Sequence, residues 1–265
     1  MSIIHLSIWD LGLCALLVCS LAWINWRQAP DLSSGILIGV ARLTIQLSLI
    51  GMALKFLFAQ TSLPWVLMVS LFMAAMAGRE VGARQEHRFT EGWTFRIGLF
   101  AMTASSYSMI LIVLLALIQP EPWYQPQYAI PLLGMILGNT LNGVSLCLDR
   151  LTAGARNQKD LIEGRLMLGE PAEEAIQDQR RQALHAGMTP AINGMATAGV
   201  VSLPGMMTGQ ILAGSPPETA VAYQIMIFLM IVAATGFGTW IANRLAIWRL
   251  FDERHRLRLD RLALK

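Results

Sequence analysis

Charged residues are scarce in this chain of 265 amino acids, where they make up only 14% of the sequence. Soluble globular proteins carry about 25% charged residues. Apolar residues account for 55% of the chain, and its mean hydropathy is +0.51. The shortage of charge excludes a disordered chain and an ordinary soluble enzyme. The apolar excess predicts an all-α integral membrane protein, because helices satisfy their own backbone groups in lipid.

Cysteine is also rare, and the charge balance is nearly even. Cys14, Cys19 and Cys147 each lie within an apolar run. We therefore expect neither a disulfide framework nor a four-ligand zinc site. The formal net charge of +3 is too small to predict nucleic acid as a partner.

Groups for catalysis are missing from the predicted membrane interior. None of the four histidines lies in the middle of an apolar stretch, and the carboxylates of Asp10 and Asp149 touch only the ends of theirs. None of the three lysines follows a glycine, which excludes the phosphate-binding motif G-x-x-x-x-G-K-[ST]. We expect no enzymatic activity and no cofactor in this chain, so any ATP hydrolysis belongs to a partner.

Seven apolar stretches are candidates for membrane spans, which need about 20 residues each. They are residues 7–26, 35–58, 63–78, 94–118, 129–148, 191–213 and 219–243. A long polar segment, 149–190, separates the fifth stretch from the sixth, and a basic tail with a helical pattern follows at 244–265. We expect one transmembrane domain spanning 1–265.

The distribution of basic residues predicts the orientation. With the N-terminus outside, the inner segments and Arg96 hold 18 of the 20 lysines and arginines, and the outer segments hold none. Such an asymmetry follows the positive-inside rule. The C-terminus and segment 149–190 are therefore predicted to be cytoplasmic.

The second span contains an arginine at membrane depth. Arg42 lies about 10 Å into the span at 1.5 Å per residue, and Gln46 follows one turn later on the same face. Arg42 either binds an anion or gates a path inside the bundle, or it extends to the inner headgroups. The sequence leaves both readings open.

The fifth span ends with a polar face. Asn139 and Asn142 are three residues apart, so they share one side of a helix. They either line a substrate path or hold neighbouring helices together, and the pair Gly134 and Gly138 favours close helix packing.

The sixth span contains Pro204-Gly205, a pair that breaks helices. Discontinuous helices at membrane depth are common at transport sites. The side chains near this break that are candidates for a substrate path are Met206, Met207, Gln210 and, in the seventh span, Gln224. The methionines either act as soft thioether ligands or fill gaps in the core.

The polar segment predicts a short helix, a tight turn and a second helix. Helical apolar positions stop at Leu168, Gly169 fits a helix C-terminus, and Pro171 suits the start of the next helix. Glu163 and Gly169 give the spacing E-x-x-x-x-x-G, which resembles the coupling motif of ABC-transporter permeases. Glu170 departs from that motif, in which a small residue is expected.

Five stretches together resemble one family. They are Arg42 to Leu47, Gly138 to Asn142, Glu163 to Gly169, Gly199 to Gly214, and Tyr223 to Ile225. The most specific part is Leu203-Pro204-Gly205-Met206-Met207-Thr208-Gly209-Gln210. The chain is similar over nearly its whole length to the FetB (YbbM) family of ABC-transporter permeases, which has plant aluminium-tolerance relatives.

The resemblance implies a multi-pass permease of the bacterial inner membrane that exports iron or another metal and protects against oxidative stress. It implies a homodimer with separate FetA-type ATPase subunits, which bind ATP and Mg²⁺. Glu163, Leu168 and Gly169 would then contact the ATPase. The metal-binding residues stay unknown. The alternatives are an ion-driven secondary transporter and a non-transporting membrane scaffold.

Overall fold

The computed structural model describes residues 7–59 and 62–264, apart from the side chains of residues 8, 55 and 59. Part of the predicted outer segment 59–62 and the last residue of the tail, Lys265, lie outside that range. The chain divides into two compact units. The first contains Met1–Gln60 and Leu212–Gly214, and the second contains Thr61–Ile211 and Ser215–Lys265.

The first unit is a helical hairpin. Helix α1 spans Ile8–Asn25 and helix α2 spans Pro30–Ala59. A capping box starts α1, in which Ser7 and Asp10 satisfy each other's backbone N–H groups. The buried Ser33 hydroxyl donates a 2.6 Å hydrogen bond to the carbonyl of Ala22, which joins the two helices close to their connection.

The second unit contains the remaining helices. They are α3 (Leu63–Arg84), α4 (Trp93–Ile112), α5 (Pro126–Asn157), α6 (Lys159–Met167), α7 (Ala172–Ala175), α8 (Gln177–Thr197), α9 (Gly205–Leu212, whose last residue belongs to the first unit) and α10 (Pro217–Leu250). Helix α4 continues as a π-helical segment, Val113–Ile118. Helix α5 packs against α3, α4, α8 and α10 and supplies much of the buried core.

Helices α5 and α8 approach closely because glycines face each other. A Cβ atom built on Gly187 would lie 2.7 Å from the carbonyl oxygen of Gly143, and one built on Gly143 would lie 2.9 Å from that of Gly187. Only glycine fits at such a distance. Of the predicted pair on α5, a Cβ on Gly134 would lie 3.3 Å from the Met73 Cε atom, and a Cβ on Gly138 would meet nothing within 4 Å. Among the described residues, close packing is therefore present at Gly134 and absent at Gly138.

Within residues 7–59 and 62–264, five helices are long and apolar enough to cross a membrane. They are Pro30–Phe58, Leu63–Arg84, Trp93–Ile118, Pro126–Asn157 and Pro217–Leu250, and the apolar part of α1 is shorter. These helices confirm the predicted all-α class. The segment 191–213, predicted as a span broken at Pro204-Gly205, is interrupted in the structure, because the helix stops at Thr197 and resumes at Gly205. Gly199 has a φ of +81° within this break, and Pro204 has no N–H to extend a helix.

The C-terminal tail is not a continuous helix, which corrects the helical pattern expected for 244–265. Helix α10 ends at Leu250, and strand β2 (Leu262–Leu264) pairs antiparallel with strand β1 (His87–Phe89), which lies between α3 and α4. The Arg261 guanidinium donates to the carbonyl of Arg249 at 2.8 Å. A cation at the last carbonyls of a helix is favourable for the helix dipole.

Candidate functional site

The turn between α6 and α7 is a Schellman motif. The N–H of Gly169 donates to the carbonyl of Leu166 at 3.0 Å, and the N–H of Glu170 donates to that of Arg165 at 3.2 Å. Gly169 has a φ of +94°, a conformation that a residue with a side chain adopts only with strain. The helix end predicted from Gly169 is confirmed. Pro171 lies just before α7 rather than in its first turn.

The turn presents two apolar side chains to its surroundings. Met167 is 88% exposed and Leu168 is 86% exposed. Their backbone is fixed, because Ile162 anchors α6 in the core and Arg165 forms a 2.8 Å ion pair with Asp178 of α8. A rigid, projecting apolar pair is the kind of anchor that fills a pocket on a protein partner. We call Met167–Glu170 the projecting turn.

Glu163 lies one turn before the projecting turn. Its carboxylate pairs with the Lys159 ammonium of the same helix at 3.8 Å, and it stays partly exposed. Glu163 and Glu170 line one wall of a cleft of about 1090 Å³, and the tail forms the other wall with Arg254 and Arg258. Two of the three residues predicted to contact an ATPase, Glu163 and Gly169, therefore line this cleft, and Leu168 directly precedes Gly169.

A hairpin in the tail borders this cleft. The Asp252 carboxylate accepts hydrogen bonds from the backbone N–H groups of Arg254, at 3.0 Å, and Arg256, at 2.9 Å. The Arg256 guanidinium also pairs with it at 2.7 Å. The Arg256 N–H is the main cause that lowers the pKa of Asp252 to about 2. The tail hairpin therefore forms an ordered wall of this cleft.

Near the break between α8 and α9, the structure joins two of the predicted path residues. The buried Gln224 side chain accepts a 3.3 Å hydrogen bond from the backbone N–H of Met207, a group at the free start of α9. Met206 packs against the core. The side-chain oxygen of Gln210 is buried and has no hydrogen-bond partner among the described residues.

The two asparagines of α5 form hydrogen bonds with different partners. Asn139 donates to the carbonyl of Met135 in its own helix at 2.8 Å. Asn142 accepts a 2.6 Å hydrogen bond from the guanidinium of Arg84, which ends α3. This Arg84 contact was not predicted, because 58 residues separate the partners in the chain.

Arg42 and Gln46 belong to the first unit. Both side chains are exposed on α2, four residues apart on one face. Their predicted part in a substrate path stays a prediction.

Three buried hydroxyl groups in the second unit were not predicted from the sequence. Ser106 of α4, Thr140 of α5 and Thr235 of α10 are buried, and their hydroxyl groups have no hydrogen-bond partner in the described part of the chain. The run Ser105-Ser106 is the signal in the sequence that could have indicated buried hydroxyl groups on α4. Across residues 7–59 and 62–264, no group of three His, Cys, Asp or Glu side chains is placed to hold a metal ion.

The sequence profile of the uncharacterised protein family UPF0014 matches residues 8–251. A UPF0014 membrane protein of Synechocystis is 38% identical over 93% of this chain and 93% of its own length. The Arabidopsis protein ALUMINUM SENSITIVE 3 is 32% identical over 89% of this chain and 85% of its own. The "Probable iron export permease protein FetB" of Escherichia coli is 30% identical over 97% and 96%. No solved structure matches.

Proposed function

The chain belongs to the UPF0014 family and is a multi-pass membrane protein, consistent with a bacterial inner membrane, and from this premise we propose that it is the permease subunit of an ABC transporter. A separate ATPase subunit would bind ATP and Mg²⁺ and would supply the energy. Two copies of the permease would assemble with two ATPase subunits. Iron or another metal would be the exported substrate.

The projecting turn is the observation on which the ATPase partnership rests. Met167 and Leu168 are almost fully exposed, yet they lie on a backbone fixed by the Schellman motif and by the Arg165–Asp178 ion pair. An exposed apolar pair outside the membrane spans is costly in water unless a partner covers it. A groove on an ATPase subunit would cover this pair.

The packing of the second unit supplies a path for mechanical coupling. The ion pair joins the projecting turn to α8, and the glycine contact joins α8 to the central helix α5. Close-packed interfaces transmit displacement because they cannot compress. Movement of the ATPase would therefore shift α8 and α5 together and open the bundle to the outside.

The proposed topology has seven crossings with the N-terminus outside. It counts α1 and the interrupted segment 191–212 as crossings in addition to the five long helices. Five crossings precede the projecting turn, and seven precede the basic tail. Because the N-terminus is outside and both numbers are odd, both segments would lie on the cytoplasmic side, where the ATPase would bind.

The proposed substrate rests on the names of two relatives. FetB of Escherichia coli is named for iron export, and the Arabidopsis relative is named for aluminium sensitivity. The break before α9 is the best candidate for the substrate path in the second unit, since irregular backbone at membrane depth survives where protein or a cavity shields it. Met206, Met207, Gln210 and Gln224 would line it there.

A pull-down with a matched pair of variants tests the proposal. The tagged chain is purified in mild detergent after gentle crosslinking, and co-purifying P-loop ATPases are quantified. Leu168→Asp should reduce the ATPase recovered at least about tenfold, as expected when an anchor residue is lost from an interface. Leu161→Asp is the control, because Leu161 is also an exposed leucine, at 50%, but lies outside the projecting turn.

Two results would overturn parts of the proposal. If no ATPase accompanies the wild-type chain, the ABC partnership is wrong, and ion-driven transport or a scaffold role replaces it. If Leu168→Asp recovers as much ATPase as the wild type, the projecting turn is not the docking site. If an ATPase does accompany the wild-type chain, the substrate is tested by measuring whether added Fe²⁺ changes the ATPase rate of the purified complex.

A further inference from the structure

A cavity of about 800 Å³ lies at the end of α10, between that helix, the start of α8 and the tail. Ligand-binding pockets in proteins measure about 300–1,000 Å³. Six arginine and three carboxylate side chains line the cavity, which leaves an excess of three positive charges. The cavity is therefore the size of a ligand and has the charge to attract an anion.

Three of the arginines have partners that fix their positions. Arg249 pairs with Glu91 at 3.0 Å and stacks on the Trp93 ring at 5.0 Å. Arg256 pairs with Asp252, and Arg261 donates to the carbonyls that end α10. These contacts hold the walls of the cavity in place.

The other three arginines have no ion pair with a carboxylate within the part of the chain that the structure describes. Arg180 comes from α8, Arg244 from α10 and Arg254 from the tail hairpin. Arg244 lies over the Trp240 ring at 5.9 Å, and Asp252 fixes the backbone of Arg254. Three separate elements thus bring guanidinium groups that form no ion pair to one cavity, which the carboxylates of Glu173 and Glu253 also line. Guanidinium groups bind phosphate oxygens well, because their N–H groups form a planar fork.

The position of the cavity favours a lipid as the source of the anion. Trp248 lines the cavity and is 64% exposed, and Trp240 lies two turns earlier on α10. Tryptophan is enriched where membrane helices pass through the headgroup layer. Basic pockets beside membrane helices are typical sites for anionic headgroups. Soluble phosphates share the same chemistry, but they give no reason for exposed tryptophan at the rim.

We propose that the cavity formed by Arg180, Arg244 and Arg254 binds the phosphate of an anionic phospholipid headgroup. The phosphate oxygens of a bound lipid would accept hydrogen bonds from the guanidinium groups and would tie α8, α10 and the tail together at the membrane surface. This proposal does not depend on an ATPase partner or on a metal substrate.

Native mass spectrometry of the full chain in detergent tests the proposal. Dioleoylphosphatidylglycerol and dioleoylphosphatidylcholine are titrated separately, and lipid-bound ions are counted. The wild type should retain phosphatidylglycerol in preference to phosphatidylcholine. The triple variant Arg180→Gln, Arg244→Gln, Arg254→Gln should bind phosphatidylglycerol at least about tenfold more weakly, because each basic residue near an anionic membrane contributes measurably to binding.

Two further variants separate the site from general charge and from misfolding. The triple variant Arg27→Gln, Arg79→Gln, Arg156→Gln loses the same charge outside the cavity and should bind lipid like the wild type. The triple lysine variant at positions 180, 244 and 254 should recover most of the binding, because it keeps the charge. Equal binding by the glutamine variant of the cavity and the wild type would overturn the proposal. So would equal retention of phosphatidylcholine, or binding of soluble glycerol phosphate as tight as that of the lipid.

Discussion

At the scale of single residues, Asp252 shows how one side chain organises a surface. At the base of the tail hairpin, Phe251 belongs to the core and Leu257 packs against it, whereas the residues at its tip, Glu253 to Arg256, are exposed. Its shape comes from one carboxylate that accepts two backbone N–H groups and a guanidinium. The pKa of Asp252 is lowered because these hydrogen bonds stabilise its ionised carboxylate.

The hairpin is expected to open in acid. An unfolded aspartate has a pKa of about 3.9, and folding lowers the pKa of Asp252 to about 2. Because the folded pKa is the lower one, the stabilisation is present above the unfolded pKa and is lost as the pH falls through the folded pKa. Hydrogen–deuterium exchange of the peptide 251–258, corrected for intrinsic rates, should show protection from pH 7 to about 4 that declines toward pH 2.

Two variants test the origin of this protection. Asp252→Ala should remove protection of the Arg254 and Arg256 amides at every pH. Asp260→Asn is the control, because Asp260 pairs with the Arg258 side chain and accepts none of these amides. Protection that stays constant from pH 7 to pH 2 in the wild type would contradict the assigned role of the carboxylate.

At the scale of helices, the contact between Gly143 and Gly187 sets the distance between α5 and α8. Gly187→Ala would place a methyl group 2.7 Å from a backbone carbonyl, which cannot move aside as a side chain can. Overpacking of this kind costs about 1–3 kcal/mol. We expect a lower melting temperature of the purified protein in detergent. Gly138→Ala should leave it unchanged or raise it, since a Cβ there meets nothing within 4 Å.

Local signals in the sequence predicted the elements that local physics determines. The end of α6 follows from the left-handed conformation of Gly169, and an interruption near Pro204 follows from the missing N–H. The tail hairpin, the β1–β2 pairing and the Arg84–Asn142 bond were not predictable in this way. The β1–β2 pairing and the Arg84–Asn142 bond join residues that are distant in the chain. The tail hairpin depends on a side chain, because the Asp252 carboxylate accepts two of its backbone N–H groups. The pattern of small residues on α5 likewise did not indicate which glycine, Gly138 or Gly143, faces another helix.

At the scale of the whole molecule, the proposed arrangement depends on orientation in the membrane. Both the projecting turn and the arginine cavity must face the cytoplasm if the first meets an ATPase and the second meets the inner headgroups. The sequence places 18 of 20 basic residues in the predicted inner segments or at their edge. Reversing the orientation would place almost all of them on the side that the positive-inside rule disfavours.

Thiol labelling of intact cells tests the orientation directly. In a Cys14→Ser, Cys19→Ser background, the buried Cys147 can remain. A membrane-impermeant maleimide should label Glu121→Cys in intact cells, because residue 121 lies in the connection between α4 and α5 and is exposed. The same reagent should label Met167→Cys only after the membrane is permeabilised. Labelling of Met167→Cys in intact cells would place the projecting turn outside, where no ATP-driven subunit could reach it, and the ABC proposal would fall with the orientation.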